Sequence, residues 1–265
     1  MASSVNSSSA WSVYKDSMEE TSLVKNAMKL TSSATSLVKY FNPSSPESLS
    51  KIGNCAKQAK GFVGIFEIPI KIEKFVRSFF GFDTKSPVSS SLNVASDFCG
   101  VVSNSCEVIE FANTVSSLPK AVVENSKVAS YGAGFFSSVK GSYDTVCKLA
   151  KNFLVLSKNS KSLKDKEISD LQGAAVTLKT HKQVISNLIS LSTKVCAVAL
   201  SVMGVVSLFT PVAPLALICT ATAASLLGVS SFIYDRVYDP NDDRAKKIAQ
   251  SPFFQKAQEI DAKKA

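Results

Sequence analysis

The chain has 265 residues, of which 45% are hydrophobic and only 19% charged, and its mean hydropathy of +0.14 is high for a wholly soluble protein. The formal charge of +9 is carried by lysine almost throughout, since the only arginines are Arg77, Arg236 and Arg244. Base reading and bidentate phosphate contacts favour arginine, so nucleic acid is not an expected partner; a lysine-rich surface suits an anionic membrane face, or plain solubility.

The first ten residues, Met1 to Ala10, are small and polar without helical period and read as disordered. From there apolar residues recur with the 3.6 period of a helix nearly everywhere, and no stretch alternates as a strand would. The expected class is therefore all-α. Leu23, Ala27, Leu30, Ala34, Leu37 and Phe41 make one stripe, ended by the turn Asn42-Pro43-Ser44-Ser45-Pro46. A second helix carries Leu49, Ile52, Ala56, Ala59 and Val63 and runs towards Phe82, with a kink expected at Pro69. Asp83 to Ser91, with Pro87, reads as a linker. The third helix carries Leu92, Ala95, Cys99, Val102, Cys106 and Ile109, and Pro119 breaks or kinks it. The fourth runs from Val128 to Leu156, the polar run Ser157 to Asp165 reads as a loop, and a fifth stripe from Ile168 to Leu188 points into the most apolar part of the chain.

From Val195 to Tyr234 no residue is charged. Val195 to Thr210 and Leu215 to Tyr234 are two apolar lobes, and Pro211 and Pro214 bracket a turn between them. A spanning helix needs ~20 residues at about 1.5 Å each. The second lobe meets this, while the first must borrow Leu188 to Ser192 or let Lys194 snorkel. The expected organisation is a tail over 1–12, a helical domain over 13–190, a two-helix transmembrane hairpin over 191–238 and a polar tail over 239–265. Lys179, Lys182 and Lys194 precede the hairpin and Arg236, Arg244, Lys246 and Lys247 follow it, whereas the turn has no cation; the positive-inside rule places both termini in the cytosol. Thr220, Ala224 and Gly228 form a small-residue face, and Ala197, Ser201 and Gly204 a possible partner face. Tyr234 and Tyr238 stand where interfacial aromatics belong. A buried hairpin of a soluble protein and a pore-former's stored hairpin are the competing readings.

A second membrane-contact candidate combines Phe62, Phe66, Phe75 and Phe79 with Lys71, Lys74 and Arg77. A basic, phenylalanine-rich helix can lie in a lipid interface, or its rings can fill a bundle core. Chemistry finds little support. His181 is the only histidine, on a polar face beside Lys179 and Lys182. The six cysteines form no C-x-x-C pair, and small buried thiols are expected rather than disulfides or a zinc site. No phosphate-loop or metalloprotease motif is present, and Asp239, Asn241 and Asp243 lack the glycine and distal glutamate of a calcium loop. Neither catalysis nor a cofactor or metal is expected.

The Ser/Asn-rich Met1 to Ala10 and the bilobed Val195 to Tyr234, roughly a fifth of the chain, together resemble the layout of the inclusion membrane proteins of chlamydiae. That resemblance implies type III secretion, insertion of the hairpin into the vacuole membrane, and display of both tails to host cytosol. Many members place the hairpin earlier. Lys74-Phe75-Val76-Arg77 and Leu149-Ala150-Lys151-Asn152-Phe153 are similar in texture to peroxin-11-type membrane-elongation proteins. The function expected is therefore a vacuolar-membrane protein whose helical domain binds host proteins or lipids, with homo-oligomers through the hairpin. Membrane shaping and pore formation are the alternatives.

Overall fold

The computed structural model describes residues 7–164 and 170–237. Among these the protein is all-α, with six helices: α1 Ser7–Phe41, α2 Glu47–Phe80, α3 Pro87–Ser116, α4 Lys120–Lys164, α5 Asp170–Val206 and α6 Pro214–Val237. The expected class holds, and the two apolar helices stand at the C-terminal end. Tyr238, Asp165 and the tail over 239–265 lie outside the described residues.

The punctuation follows local chemistry. The α1–α2 turn sits at the two prolines, with the Asn42 amide closing on the Val38 carbonyl at 2.8 Å. Helix α2 passes through Pro69 without interruption. Proline removes one backbone donor there, and the Tyr14 hydroxyl of α1 donates to the Phe66 carbonyl in the preceding turn. At the α2 terminus the Gly81 amide donates to the Arg77 carbonyl, whose oxygen would lie only 2.8 Å from any Cβ at that position. Pro87, expected inside a linker, instead opens α3 at its first turn, where its missing donor costs nothing. Asp83 holds the short connection by accepting from the Lys85 amide at 2.9 Å and the Ser86 hydroxyl at 2.6 Å. Ser117, in the left-handed region at φ 48°, ends α3 two residues before Pro119.

Two expectations are corrected. Residues 7–10 belong to α1, so helix begins inside the serine-rich segment. Ser157 to Lys164 is helix and not loop. The Asn159 amide donates to the Gly173 carbonyl and the Thr177 hydroxyl, both at 2.9 Å, and Leu163 packs onto Gly173. These contacts to α5 hold a polar segment that composition alone reads as a connector.

The described residues form two compact units, 7–141 with 193–229, and 142–164 and 170–192 with 230–237. One boundary between the units falls between Ser192 and Thr193, two residues beyond the limit expected at residue 190. Thr193 to Val229 is grouped with the first three helices and the start of α4. In the first unit α2 packs against both α1 and α3. Its buried positions are Gly53, Ala56, Gly61 and Gly64, a small-residue face that lets neighbouring helices approach closely. Thr35 fills the space at Gly53 and Phe111 the space at Gly61.

Candidate membrane hairpin and buried charge cluster

Helices α5 and α6 are the two described helices long and apolar enough to cross a membrane, over Val176–Val206 and Pro214–Arg236. Only 11% and 6% of their most apolar windows are buried within the fold. A hydrophobic hairpin serving as the core of a soluble protein would be covered. The turn runs from Ser207 to Ala213, so helix ends four residues before Thr210 and Pro214 starts α6. Lys182 Nζ lies 3.4 Å from the Asp235 carbonyl, which brings the open ends of the two legs together.

The faces of the hairpin are sorted by polarity. Outward on α5 stand Ile185, Leu188, Val195 and Val202, and on α6 Leu226 and Ile233, each between 43% and 55% exposed. Inward stand the buried Ser201, Gly204 and Ser225. The hydroxyls satisfy themselves along their own helix: Ser201 donates to the Ala197 carbonyl at 2.9 Å, and Thr220, Thr222 and Ser225 each donate one turn back at 2.8 Å. That pattern lets these four hydroxyl donors dispense with water.

Three of the small residues on the hairpin contact other helices. Gly204 gives room to the Tyr131 ring of α4, Ser201 meets Gly134 of α4, and Gly228 meets the Asn26 side chain of α1. Ala224 is half-buried on the inner side, Pro211 is exposed in the turn, and Tyr234 is half-buried in the last turns of α6. Lys194 sits near the middle of its leg, about 18 Å along the axis from either Lys182 or Val206. Snorkelling cannot cover that distance; instead its stem lies across Gly141 of α4, with Cε 3.1 Å from where a Cβ would stand.

The phenylalanine-rich helix divides between the two roles foreseen. Phe75 is half-buried and packs on Phe98 of α3 with ring centroids 5.6 Å apart, and Phe62 packs on Phe111 at 6.1 Å. Yet Phe62, Phe66 and Phe79 remain exposed, as do Ile65, Ile72, Val76 and Phe80, and these form one stripe along α2. The cations beside it are engaged: Lys74 pairs with Asp97 of α3 at 2.9 Å and Arg77 with Glu73 at 2.5 Å. Lys71 extends its stem toward Gly100. His181 is exposed, and among the described residues no group of three His, Cys, Asp or Glu could hold a metal.

Sequence reasoning missed a buried ionic cluster at the meeting of α1, α2 and α3. Lys25 Nζ, on a side chain only 9% exposed, lies 2.6 Å from Glu107, 2.7 Å from Glu67 and 2.9 Å from the Asn104 Oδ1. Asn104 Nδ2 donates to the Gly64 carbonyl at 2.7 Å. Lys60 and Lys29 approach Glu107 at 3.3 and 3.8 Å. Burial alone would raise the Glu107 carboxyl, but Lys29, Lys60 and Lys25 outweigh it and pull its pKa down to about 2. Burial likewise opposes the Lys25 ammonium, and Glu107 and then Glu67 reverse the sign and hold its pKa above the ordinary value. For Lys29 burial wins, and its pKa is lowered. Glu67 and Asn104 stand 42 and 79 residues from Lys25 in sequence. Lys25 stands about 200° around α1 from Leu23, on the face opposite the apolar stripe, so periodicity carried no signal for it.

No protein-family model, curated protein or solved structure matches this chain.

Proposed function

We propose that the chain is a membrane-embedded interaction protein, held in the bilayer by the α5–α6 hairpin and presenting its other helices to partners on the side of the lysine-rich flanks. The observation that carries this is the low burial of both apolar helices, 11% and 6%, with aliphatic side chains outward and small or hydroxylic ones inward. The finer reading is a type III-secreted protein of a vacuolar inclusion membrane, with both termini toward host cytosol. It is supported by the hairpin layout and by the cations at the open end.

The test is alkaline-carbonate extraction of membranes from cells expressing the full chain, beside a Val202→Lys, Leu226→Lys variant. Deleting the hairpin is the poorer control, because Gly204 and Gly228 contact α4 and α1 and their loss disturbs the whole first unit. Leu226→Lys, at the centre of its leg, costs about 2.5–3.5 kcal/mol, and Val202→Lys, four residues from the end of α5, adds a smaller cost. The wild type is expected in the pellet and the variant largely in the supernatant. Release of the wild type would refute the anchor. For the finer reading, epitope tags at both ends should be stained when only the plasma membrane is opened; a protected terminus counts against it.

The second reading is membrane shaping by α2, favoured by its outward stripe of Phe62, Phe66, Ile72, Val76 and Phe79. With Lys74 and Arg77 already paired, insertion of this stripe would depend on apolar area more than on charge. Equal binding of the full chain and a Phe66→Ser, Phe79→Ser variant to small vesicles would rule it out.

A further inference from the structure

The first unit holds an open cleft of about 810 Å³ lined by residues of all six helices. Its walls differ in kind. Helices α5 and α6 supply Leu200, Leu217, Ile218 and Ala221, while α1, α2 and α4 supply Lys29, Lys57, Lys60 and Lys127 among serines. Glu107 and Glu110 are the carboxylates on the lining, so cations are in excess. Glu107 is moreover shared, with its short contact given to Lys25 at 2.6 Å and only 3.8 Å left to Lys29. The Lys29 side chain keeps 41% of its surface accessible, and it does so on the cleft wall. Among the described residues Lys57 and Lys127 have no ion pair. The inward Ala197, Ser201 and Ala224, whose spacing suggested helix–helix contact, line this space together with Ser225.

We propose that this cleft binds a single-chain anionic amphiphile, a fatty-acid-like molecule whose head group pairs with Lys29, Lys57 and Lys60 and whose chain lies along Leu200, Leu217 and Ile218. The volume falls within the range of ~300–1,000 Å³ typical of small-molecule sites and far exceeds what an inorganic anion fills. An apolar wall opposite a cationic one selects an amphiphile over a free anion. The excess charge selects an anionic head over a neutral one.

The test uses the purified full chain in zwitterionic-lipid nanodiscs, with a diazirine-bearing palmitate as probe and the matching diazirine alcohol as its neutral counterpart. Labelled peptides are mapped by mass spectrometry. The palmitate should label the segment around Leu217 to Ser225 and the turn of α5 around Leu200, at least tenfold more than the alcohol does. Lys57→Ser touches no ion pair and leaves the fold in place, and it should cut labelling several-fold. Ala221→Trp should abolish labelling by filling the space. Equal labelling by the alcohol, or labelling unchanged in both variants, overturns the proposal, because the probe is then reaching only the lipid-facing surface. Competition by millimolar inorganic phosphate at unchanged chain contacts overturns the amphiphile in favour of a free-anion site. Failure of carbonate retention leaves this test intact, since the cleft can be probed in detergent-free buffer.

Discussion

Replacing Glu107 by glutamine preserves shape and removes one charge from a cluster in which three ammonium groups share that carboxylate at 2.6, 3.3 and 3.8 Å. Lys25 keeps Glu67 and Asn104, whereas Lys60 and Lys29 lose the carboxylate they approach. The carboxyl's pKa moves from an ordinary 4.5 to about 2 on folding. At about 1.4 kcal/mol for each tenfold change in proton affinity, this corresponds to on the order of 3 kcal/mol of preference for the ionised form. Breaking a buried pair on one side costs a similar ~3–5 kcal/mol. The lower end applies here, because Lys29 is 41% accessible and partly screened. Because the folded pKa lies below the unfolded one, the stabilisation is complete above pH 4.5 and is lost as pH falls towards 2. Denaturant unfolding followed by helical circular dichroism should therefore place Glu107→Gln about 2–3 kcal/mol below the wild type at pH 7, the gap closing below pH 4. A loss under ~1 kcal/mol at pH 7, or a gap that does not narrow between pH 4.5 and 2.5, would refute the cluster as a structural centre.

Three further outcomes follow from the same contacts. Asn104→Leu removes an acceptor from Lys25 and the donor to the Gly64 carbonyl, and should cost about 2–3 kcal/mol in the same assay. Gly204→Leu forces a side chain into the Tyr131 ring and should cost about 1–3 kcal/mol, most of it recovered by adding Tyr131→Ala; no recovery would place the strain elsewhere. Asn159→Ala frees the α4 terminus from the Gly173 carbonyl and Thr177, and should accelerate tryptic cleavage at Lys158 and Lys161 several-fold without changing retention in membranes.

The legible part of this fold was periodic or punctuated. Prolines 43, 46, 119 and 214 mark helix limits because a missing donor and a fixed φ cannot be overridden cheaply. The uncharged run ending at Tyr234 shows itself by length. What could not be read was whatever depends on two distant segments meeting. Ser157 to Lys164 looks like a loop until Gly173 and Thr177 supply partners for Asn159. Lys25 looks like a surface lysine until Glu67 and Glu107 arrive from two other helices. The small residues of the hairpin were recognised as packing surface, but the approach of Tyr131 to Gly204 and of Asn26 to Gly228 was not foreseen. Spacing gives the face of a helix without saying what faces it.

The distribution of polarity links these observations. Among the described residues, those buried are mostly polar, with Lys25, Asn104, Ser126, Thr145, Ser201 and Ser225 among them, while the buried hydrophobic side chains are Ala56, Cys106, Ala133 and Leu149. Valine, isoleucine and phenylalanine stand outward on every helix that carries them. In water such an arrangement gives up the main driving force of folding, because apolar area stays solvated while charges bear the cost of desolvation. Against hydrocarbon that cost reverses for the outward residues of α5 and α6, and cohesion there must come from close approach at glycines and from hydrogen-bonded polar contacts. The first unit has both devices, in the Gly53–Gly64 face of α2 and in the Lys25 cluster. Its stability should then respond to Glu107 and Asn104 more than to any single outward aliphatic residue such as Val76 or Leu226.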